Sequence, residues 1–252
     1  IDLSRFRGVR VDPAARRVSV DGGTLLGQVD RECMAHGLVA PLGTVSHTGV
    51  GGLTLGGGFG RLARKLGMAI DNLESVDIVT PDGQLRHASA TENPDLFWGV
   101  RGGGGNFGVV TKFEFRLHPM SREVIAGSVT FPIARAHDVL SMWSQYAVTA
   151  PDELYMDPVV MQPPGREPGF VSVEVCYCGP HGEAERVLAP LRELGTPMRA
   201  TIKVNDYVEV QRWNDSGDSR SLGSYMKSGF VSTIPERFVS AMVDDFPGDP
   251  RR

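Results

Sequence analysis

Two glycine blocks carry the main chemical signal of this sequence. Eight glycines fall between Gly43 and Gly60, and five of the seven residues from Gly102 to Gly108 are glycine. Gly49-Val50-Gly51-Gly52 and Gly56-Gly57-Gly58-Phe59-Gly60 strip side chains from what reads as one long loop. Bare main chain exposes N–H donors and lets an anion or a flat ring approach closely. Ser46 and Thr48 add hydroxyl donors beside it. Tight turns in a β-rich domain explain single glycines but explain such a block poorly. Each glycine costs roughly 0.5–1 kcal/mol relative to alanine, so the block costs several kcal/mol against a typical net stability of about 5–15 kcal/mol. The pattern points to a bound ligand.

The type of ligand is narrowed by context. Gly103, Gly105 and Gly108 satisfy G-x-G-x-x-G, but a dinucleotide fold needs a strand before that motif and a helix after it. Here a helix is expected before and a strand after, which rejects a nicotinamide-dependent dehydrogenase. No Gly-Lys pair, G-x-S-x-G or H-E-x-x-H occurs, so nucleotide-phosphate loops, serine hydrolases and zincins find no support. Cys176 and Cys178 have a C-x-C spacing that hints at metal. No second Cys/His pair completes a site, so they read as small residues on one sheet face, and no metal is expected. Three cysteines give no disulfide framework, and a reduced, cytoplasmic setting is the default. His47 and His87 read as hydrogen-bonded loop and strand histidines, Trp143 and Trp213 as packing residues, and Asp215, Asp218 and Arg220 as a solvated loop.

The elements that must position the glycines follow from periodicity. Val18 to Val20 reads as a strand, and Thr24 caps a helix with Leu25, Val29 and Cys33 on one stripe, ending at Gly37. Leu38 to Ala40 is extended. Ser75–Thr80 and Gln84–Ala88 form a hairpin about Pro81-Asp82-Gly83. Asn93 caps a short helix opened by Pro94 and running through Trp98. From Val109 to Leu117 the alternation places Val109, Thr111, Phe113, Phe115 and Leu117 on one face of a half-buried strand. Beyond Pro119 glycine becomes sparse. Strands are expected at Val124–Phe131, Leu154–Met161, Phe170–Tyr177, Met198–Val204 and Ser224–Val231, with a turn at Pro163-Pro164-Gly165. Helices are expected at Ala134–Ala147, Gly182–Leu194 and Pro235–Phe246. The order β-α-β-β-α-β implies an antiparallel sheet with helices on one face, so the fold class is α+β with a boundary near residue 120.

Length and charge fit this outline. A chain of 252 residues suffices for one large or two ordinary domains. A hydrophobic fraction of 41% and a charged fraction of 22% are ordinary for a soluble globular protein. A net charge of −4 argues against nucleic acid or anionic membrane as a partner. No apolar run approaches the ~20 residues that span a bilayer, and no signal peptide is legible from Ile1.

The run from Pro41 to Pro119 resembles the PCMH-type FAD-binding domain of the vanillyl-alcohol oxidase superfamily, in particular its berberine bridge enzyme-like and 6-hydroxynicotine oxidase-like members. The resemblance rests on Thr48 to Gly60, on Asp71-Asn72, and on Asn93 to Val110 with its Gly-Gly-Gly-Gly-Asn-Phe-Gly core. It extends less specifically through residues 121–252. It implies FAD as cofactor, an FAD-binding domain at 1–120 represented by its second subdomain, and a substrate-binding domain at 121–252. Both ends of the family pattern lie outside the chain, namely the N-terminal subdomain and the C-terminal part. Thr48, Gly49, Val50, Gly51, Gly52 and Leu53 would line the pyrophosphate and isoalloxazine. Gly56, Gly57 and Gly58 would shape the same wall, with Val45 and Ser46 leading into it. Asn106, Phe107, Gly108 and Val109 would sit near the adenine.

Departures from the family pattern also carry implications. Val45 stands where many relatives have a flavin-linking cysteine, which excludes a cysteinyl link, and Leu53 stands where many have histidine. The histidine that bonds covalently to flavin belongs to the N-terminal segment that has no counterpart here. In this family a substrate-domain sheet roofs the flavin, so Tyr225 and Lys227, two apart on one strand face, could line the pocket and serve as base; core Tyr and rim Lys is the plain alternative. The implied reaction is hydride transfer from a small alcohol, sugar or amine to flavin N5, with dioxygen as acceptor. Thr48 is small enough to leave oxygen room beside the ring. The other reading is an inactive fragment or a non-catalytic small-molecule-binding protein.

Overall fold

Phe113 and Phe115 lie on the same face of one strand, both fully buried, with ring centroids 6.0 Å apart. Two such side chains at alternate positions commit that strand to the middle of a sheet. The structure is a computed structural model that describes residues 1–161, 163, 168–215, 228–229, 231 and 233–244. The chain divides into two compact units, Ile1–Glu123 with Asp206–Gly217, and Val124–Asn205 with Asp218–Arg252.

The first unit runs β1 (Val9–Asp12), β2 (Arg17–Asp21), α1 (Leu26–Met34), β3 (Leu38–Val39), α2 (Val50–Leu55), α3 (Ala63–Leu66), β4 (Leu73–Val79), β5 (Leu85–Ser89), α4 (Pro94–Val100), β6 (Val109–Arg116) and β7 (His118–Pro119). Five strands form an antiparallel sheet in the order β1-β2-β6-β4-β5, and β3 pairs β7 separately. Val18, Val20, Val76, Ile78, Phe113 and Phe115 join Leu26, Val29 and Cys33 of α1 in one core.

Three local expectations are corrected here. Thr24 does not cap α1. The cap position is Leu25, whose amide donates to Gln28 Oε1 at 3.2 Å, while the buried Thr24 hydroxyl donates to the Gly8 carbonyl at 3.3 Å. Asn93 occupies the cap position of α4 but in a left-handed conformation, φ 47°, without a side-chain cap; its amide donates to the His87 carbonyl at 2.6 Å. The alternation of β6 breaks at Thr111. Lys112 pairs with Asp77 and Val110 with Ile78, so Thr111 is the extra residue of a bulge. Val110 is therefore buried with Phe113 and Phe115, and Val109 and Thr111 are only half-buried.

Asn72 fixes the approach to β4. It is buried; its amide donates to the Leu66 and Met68 carbonyls at 2.8 and 3.0 Å, and its Oδ1 lies 2.6 Å from His118 Nε2. An amide oxygen only accepts, so Nε2 carries the proton. Burial, helped by Arg116, holds His118 below its ordinary value, which favours that neutral form. Asn72→Ala removes the side-chain partner of the Leu66 carbonyl and of the His118 imidazole, while the Met68 carbonyl keeps the Asp71 amide at 3.1 Å; a buried group left unpaired costs about 1–3 kcal/mol. A loss of about 2 kcal/mol in denaturant-measured stability is expected, with an unchanged denaturant dependence. An unchanged midpoint would show that these bonds contribute nothing.

In the second unit, β8 (Glu123–Pro132), α5 (Ala136–Thr149), β9 (Leu154–Met161), β10 (Phe170–Tyr177), α6 (Ala184–Glu193), β11 (Arg199–Ala200) and β12 (Lys203–Asp206) follow. The antiparallel order is β11-β8-β10-β9, with β12 also on β8. Val171, Val173, Val175 and Tyr177 face a core shared with Val139 of α5 and Val187, Leu188 and Leu191 of α6. This is the expected α+β layer. The chain then forms α7 (Tyr207–Val210), counted with the first unit, and α8 (Glu236–Asp244). The single strand expected at Met198–Val204 is two short ones. The turn at Pro164-Gly165, most of the strand expected at Ser224–Val231, and Asp218 and Arg220 lie outside the described residues. Among the described residues no helix is long and apolar enough to cross a membrane.

Candidate functional site

The first glycine block is not one long loop. Val50–Leu55 is a helix, α2, entered through Gly49 in an extended conformation, φ −73° and ψ 133°, and left through Gly56. Glycine disfavours helix by about 1 kcal/mol, so the helix depends on its surroundings. Val50 is fully buried and donates its amide to the Thr24 carbonyl at 2.9 Å. A Cβ on Gly51 would stand 3.1 Å from the Gly22 carbonyl and 3.7 Å from the Phe113 ring. Bare backbone on that side lets α2 lie directly on the sheet.

The glycines then separate into two kinds by what a Cβ would meet. At Gly60 it would lie 2.0 Å from the Leu42 carbonyl, at Gly103 2.3 Å from the Gly99 carbonyl, and at Gly108 2.2 Å from the Val79 carbonyl. Gly57 and Gly58 have φ of +110° and +68°, and their carbonyls accept from Ile70 and Ala69 at 3.2 and 2.7 Å. These residues are glycine because the fold demands it. Gly49, Gly52 and Gly105 differ: an added Cβ meets no atom within 4 Å, and none has a positive φ. At Gly56 the only neighbours are ordinary contacts at 3.5 and 3.6 Å. Gly49, Gly52 and Gly56, spaced three and four apart, make one bare strip along α2. Nothing among the described residues accounts for its bareness.

The second block comes to the same place. Gly104–Phe107 forms a 3-10 turn between α4 and β6 and is in contact with α2. Phe107 is half-buried beneath Gly99 and Gly103 and packs on the core with Leu53. Asn106 is exposed and donates its amide to the Gly103 carbonyl at 2.6 Å. Val109 opens β6 opposite Val79. The two glycine blocks are thus neighbours in the first unit.

The loop leading into α2 is held from beneath. Val45 accepts from the Thr48 amide at 3.1 Å, Thr48 from the Leu26 amide at 3.0 Å, and Ser46 from the Gly27 amide at 2.9 Å. The Ser46 hydroxyl, expected to face a ligand, donates instead to Asp215, which also accepts the Ser46 amide at 2.8 Å. Asp215 is therefore not a solvated loop residue. His47 stands 3.4 Å from the same carboxylate. His87 Nδ1 lies 2.8 Å from Asp77 Oδ1 on the sheet, away from the glycines. Trp213 is 42% exposed and is not a core residue. Tyr225 and Lys227 lie outside the described residues.

Sequence reasoning missed a buried polar knot under this loop. Arg61, 2% exposed, donates Nη1 to the Thr44 carbonyl at 3.2 Å and to Gln211 Oε1 at 2.9 Å. Gln211 Nε2 donates to the Gly43 carbonyl at 2.8 Å and to Asp30 Oδ2 at 3.3 Å. Asp30 Oδ1 and Thr54 Oγ1 are buried without a hydrogen-bond partner among the described residues. Burial pushes the Asp30 carboxyl up to about 7, against the opposing pull of Gln211 and Arg61. Burial, with Asp30 and Glu32, pushes the Cys33 thiol up to about 12, so that cysteine is not a nucleophile.

A bare strip of backbone on a rigid sheet, with a second glycine turn beside it, fits a flat phosphorylated cofactor. A family model described as an FAD binding domain matches residues 1–89. The chain as a whole is similar to FAD-linked oxidoreductases. It is 34% identical over its whole length to an FAD-linked oxidoreductase of Dictyostelium discoideum, covering 55% of that protein. Among solved structures it is similar to 6-hydroxy-D-nicotine oxidase from Arthrobacter nicotinovorans, with 33% identity, a TM-score of 0.78, and coverage of 89% of this chain and 49% of that one. It is also similar to xylooligosaccharide oxidase from Myceliophthora thermophila, with 29% identity, a TM-score of 0.74, and coverage of 86% and 46%. The chain spans about half the length of the curated relatives it matches.

Proposed function

We propose that the protein is an FAD-dependent oxidase of a small alcohol, sugar or amine. The observation that carries this reading is the strip Gly49, Gly52 and Gly56 beside Gly105, bare for no reason among the described residues. Bound FAD would supply the acceptor for the substrate's hydride at N5 and return both electrons to dioxygen, giving peroxide. The residues of this chain do the rest. Gly49 to Gly52 would bring main chain close to the cofactor, Leu53 and Val50 would anchor that wall in the core, and Asn106 to Val109 would bound its far end. Val45 has no nucleophile, so no covalent link forms there.

In this reading the first unit, to which Asp206–Gly217 returns, is the cofactor domain and the second unit the substrate domain. A base of this chain would take the substrate's O–H or N–H proton. Tyr225 and Lys227 are the candidates from sequence. The face of β9 and β10 opposite the core adds Tyr155, whose hydroxyl donates to Asp157 at 3.1 Å, with Ser172 and Glu174 alongside. Similar proteins whose names give a substrate act on 6-hydroxy-D-nicotine and on xylooligosaccharide, which supports a small polar substrate. The test is to supply FAD to the purified protein and screen alcohols, sugars and amines for bleaching of the visible flavin band with peroxide release. Bleaching with at least one class is expected. A flavin-loaded protein bleached by none would overturn the oxidase reading, and a folded protein that takes no FAD would favour a non-catalytic chain.

A further inference from the structure

The chain leaves the first unit after Glu123 and rejoins it at Asp206. The point of return is fastened: Arg122 pairs with Asp206 at 2.7 Å, and the Tyr207 amide donates to the Arg122 carbonyl at 2.8 Å. Asp206 also caps α7, accepting from the Val208 amide at 2.9 Å. From this anchored turn two side chains reach the loop that opens the glycine block. Gln211, 1% exposed, binds the Gly43 carbonyl directly and Thr44 through Arg61. Asp215 takes both the amide and the hydroxyl of Ser46. On its other side the same loop is held by the start of α1, through the Leu26 and Gly27 amides. Gly43, Thr44 and Ser46 are thus gripped at their polar atoms just before the bare strip begins.

We propose that the returning segment, residues 207–215, is a clamp that sets the shape of the flavin-binding loop, with Gln211 and Asp215 as its positioning residues. The clamp rests on FAD being the ligand of the bare strip. Its hydrogen bonds to the loop fall on Gly43, Ser46 and, through Arg61, Thr44, ahead of the strip. It acts by fixing residues 43–48, which continue into Gly49 without a break, so slack there displaces the Gly49 and Gly52 backbone. The Ser46 amide makes the point observable, because it donates to the Asp215 carboxylate.

The test is amide hydrogen exchange at Ser46 together with FAD titration of the whole chain, for the unsubstituted protein, Asp215→Ala and Asp215→Asn. Asparagine keeps an acceptor for the amide and a partner for the hydroxyl, so it should behave as the unsubstituted protein does. Asp215→Ala should exchange at Ser46 at least tenfold faster and bind FAD at least tenfold more weakly, with little change in melting temperature. Unchanged exchange would overturn the clamp. Faster exchange with unchanged FAD affinity would overturn its role toward the cofactor. Failure of the unsubstituted chain to take up FAD would instead overturn the cofactor reading itself.

Discussion

Gly52→Leu is expected to weaken FAD binding severely while leaving the fold intact. Gly52 is exposed on the first turn of α2, lacks a positive φ, and offers an added Cβ no atom within 4 Å. Leucine is a far better helix former than glycine, by about 1 kcal/mol, so the melting temperature should hold or rise. The side chain then occupies the space that the cofactor needs. An affinity loss of at least about 100-fold is expected, equivalent to about 2.7 kcal/mol, read by quenching of flavin fluorescence. Gly60→Ala is the opposite control. Its Cβ would sit 2.0 Å from the Leu42 carbonyl, so it should lose stability before it loses cofactor. A Gly52→Leu protein that binds FAD as tightly as before would end the steric account of the strip.

Asp30→Asn changes the pH dependence of stability. Asp30 is 2% exposed, and burial, opposed by Gln211 and Arg61, pushes its carboxyl up to about 7 from 3.8. A carboxyl that is harder to ionise folded than unfolded favours the native state below about pH 4. That advantage is lost as pH rises and is gone above about 7. The gap corresponds to about 4 kcal/mol at most. Asparagine keeps an acceptor for Gln211 and cannot ionise. The variant should match the parent at pH 4, gain on it steadily toward pH 7, and hold a constant lead above. Parallel stability curves across that range would mean that Asp30 does not carry the penalty.

Much of the fold was legible because alternation reports burial. Strand β10 stands where its period-two patterning placed it, β9 spans the residues expected, and the hairpin β4–β5 lies within two residues of its expected bounds. Elements that depend on tertiary contact were not legible. A helix within Val50-Gly51-Gly52 has the poorest intrinsic propensity short of proline, and it forms because Val50 is buried and Gly51 lies on Gly22 and Phe113. The Thr111 bulge is set by pairing with β4, which a single strand does not reveal. Asp215 and Gln211 meet residues more than 160 positions away, and no local pattern announces such a contact. The glycines show the limit most clearly. Gly52 and Gly60 are the same letter in the sequence, yet one is open to solvent and the other wedged against a carbonyl.

The central claim, that the bare strip is where the cofactor lies, is tested most directly by titrating FAD into the chain and following backbone amide resonances. The account predicts that Gly49, Gly52 and Gly105 shift first and furthest. FAD binding that moves amides elsewhere while these three stay fixed would contradict it.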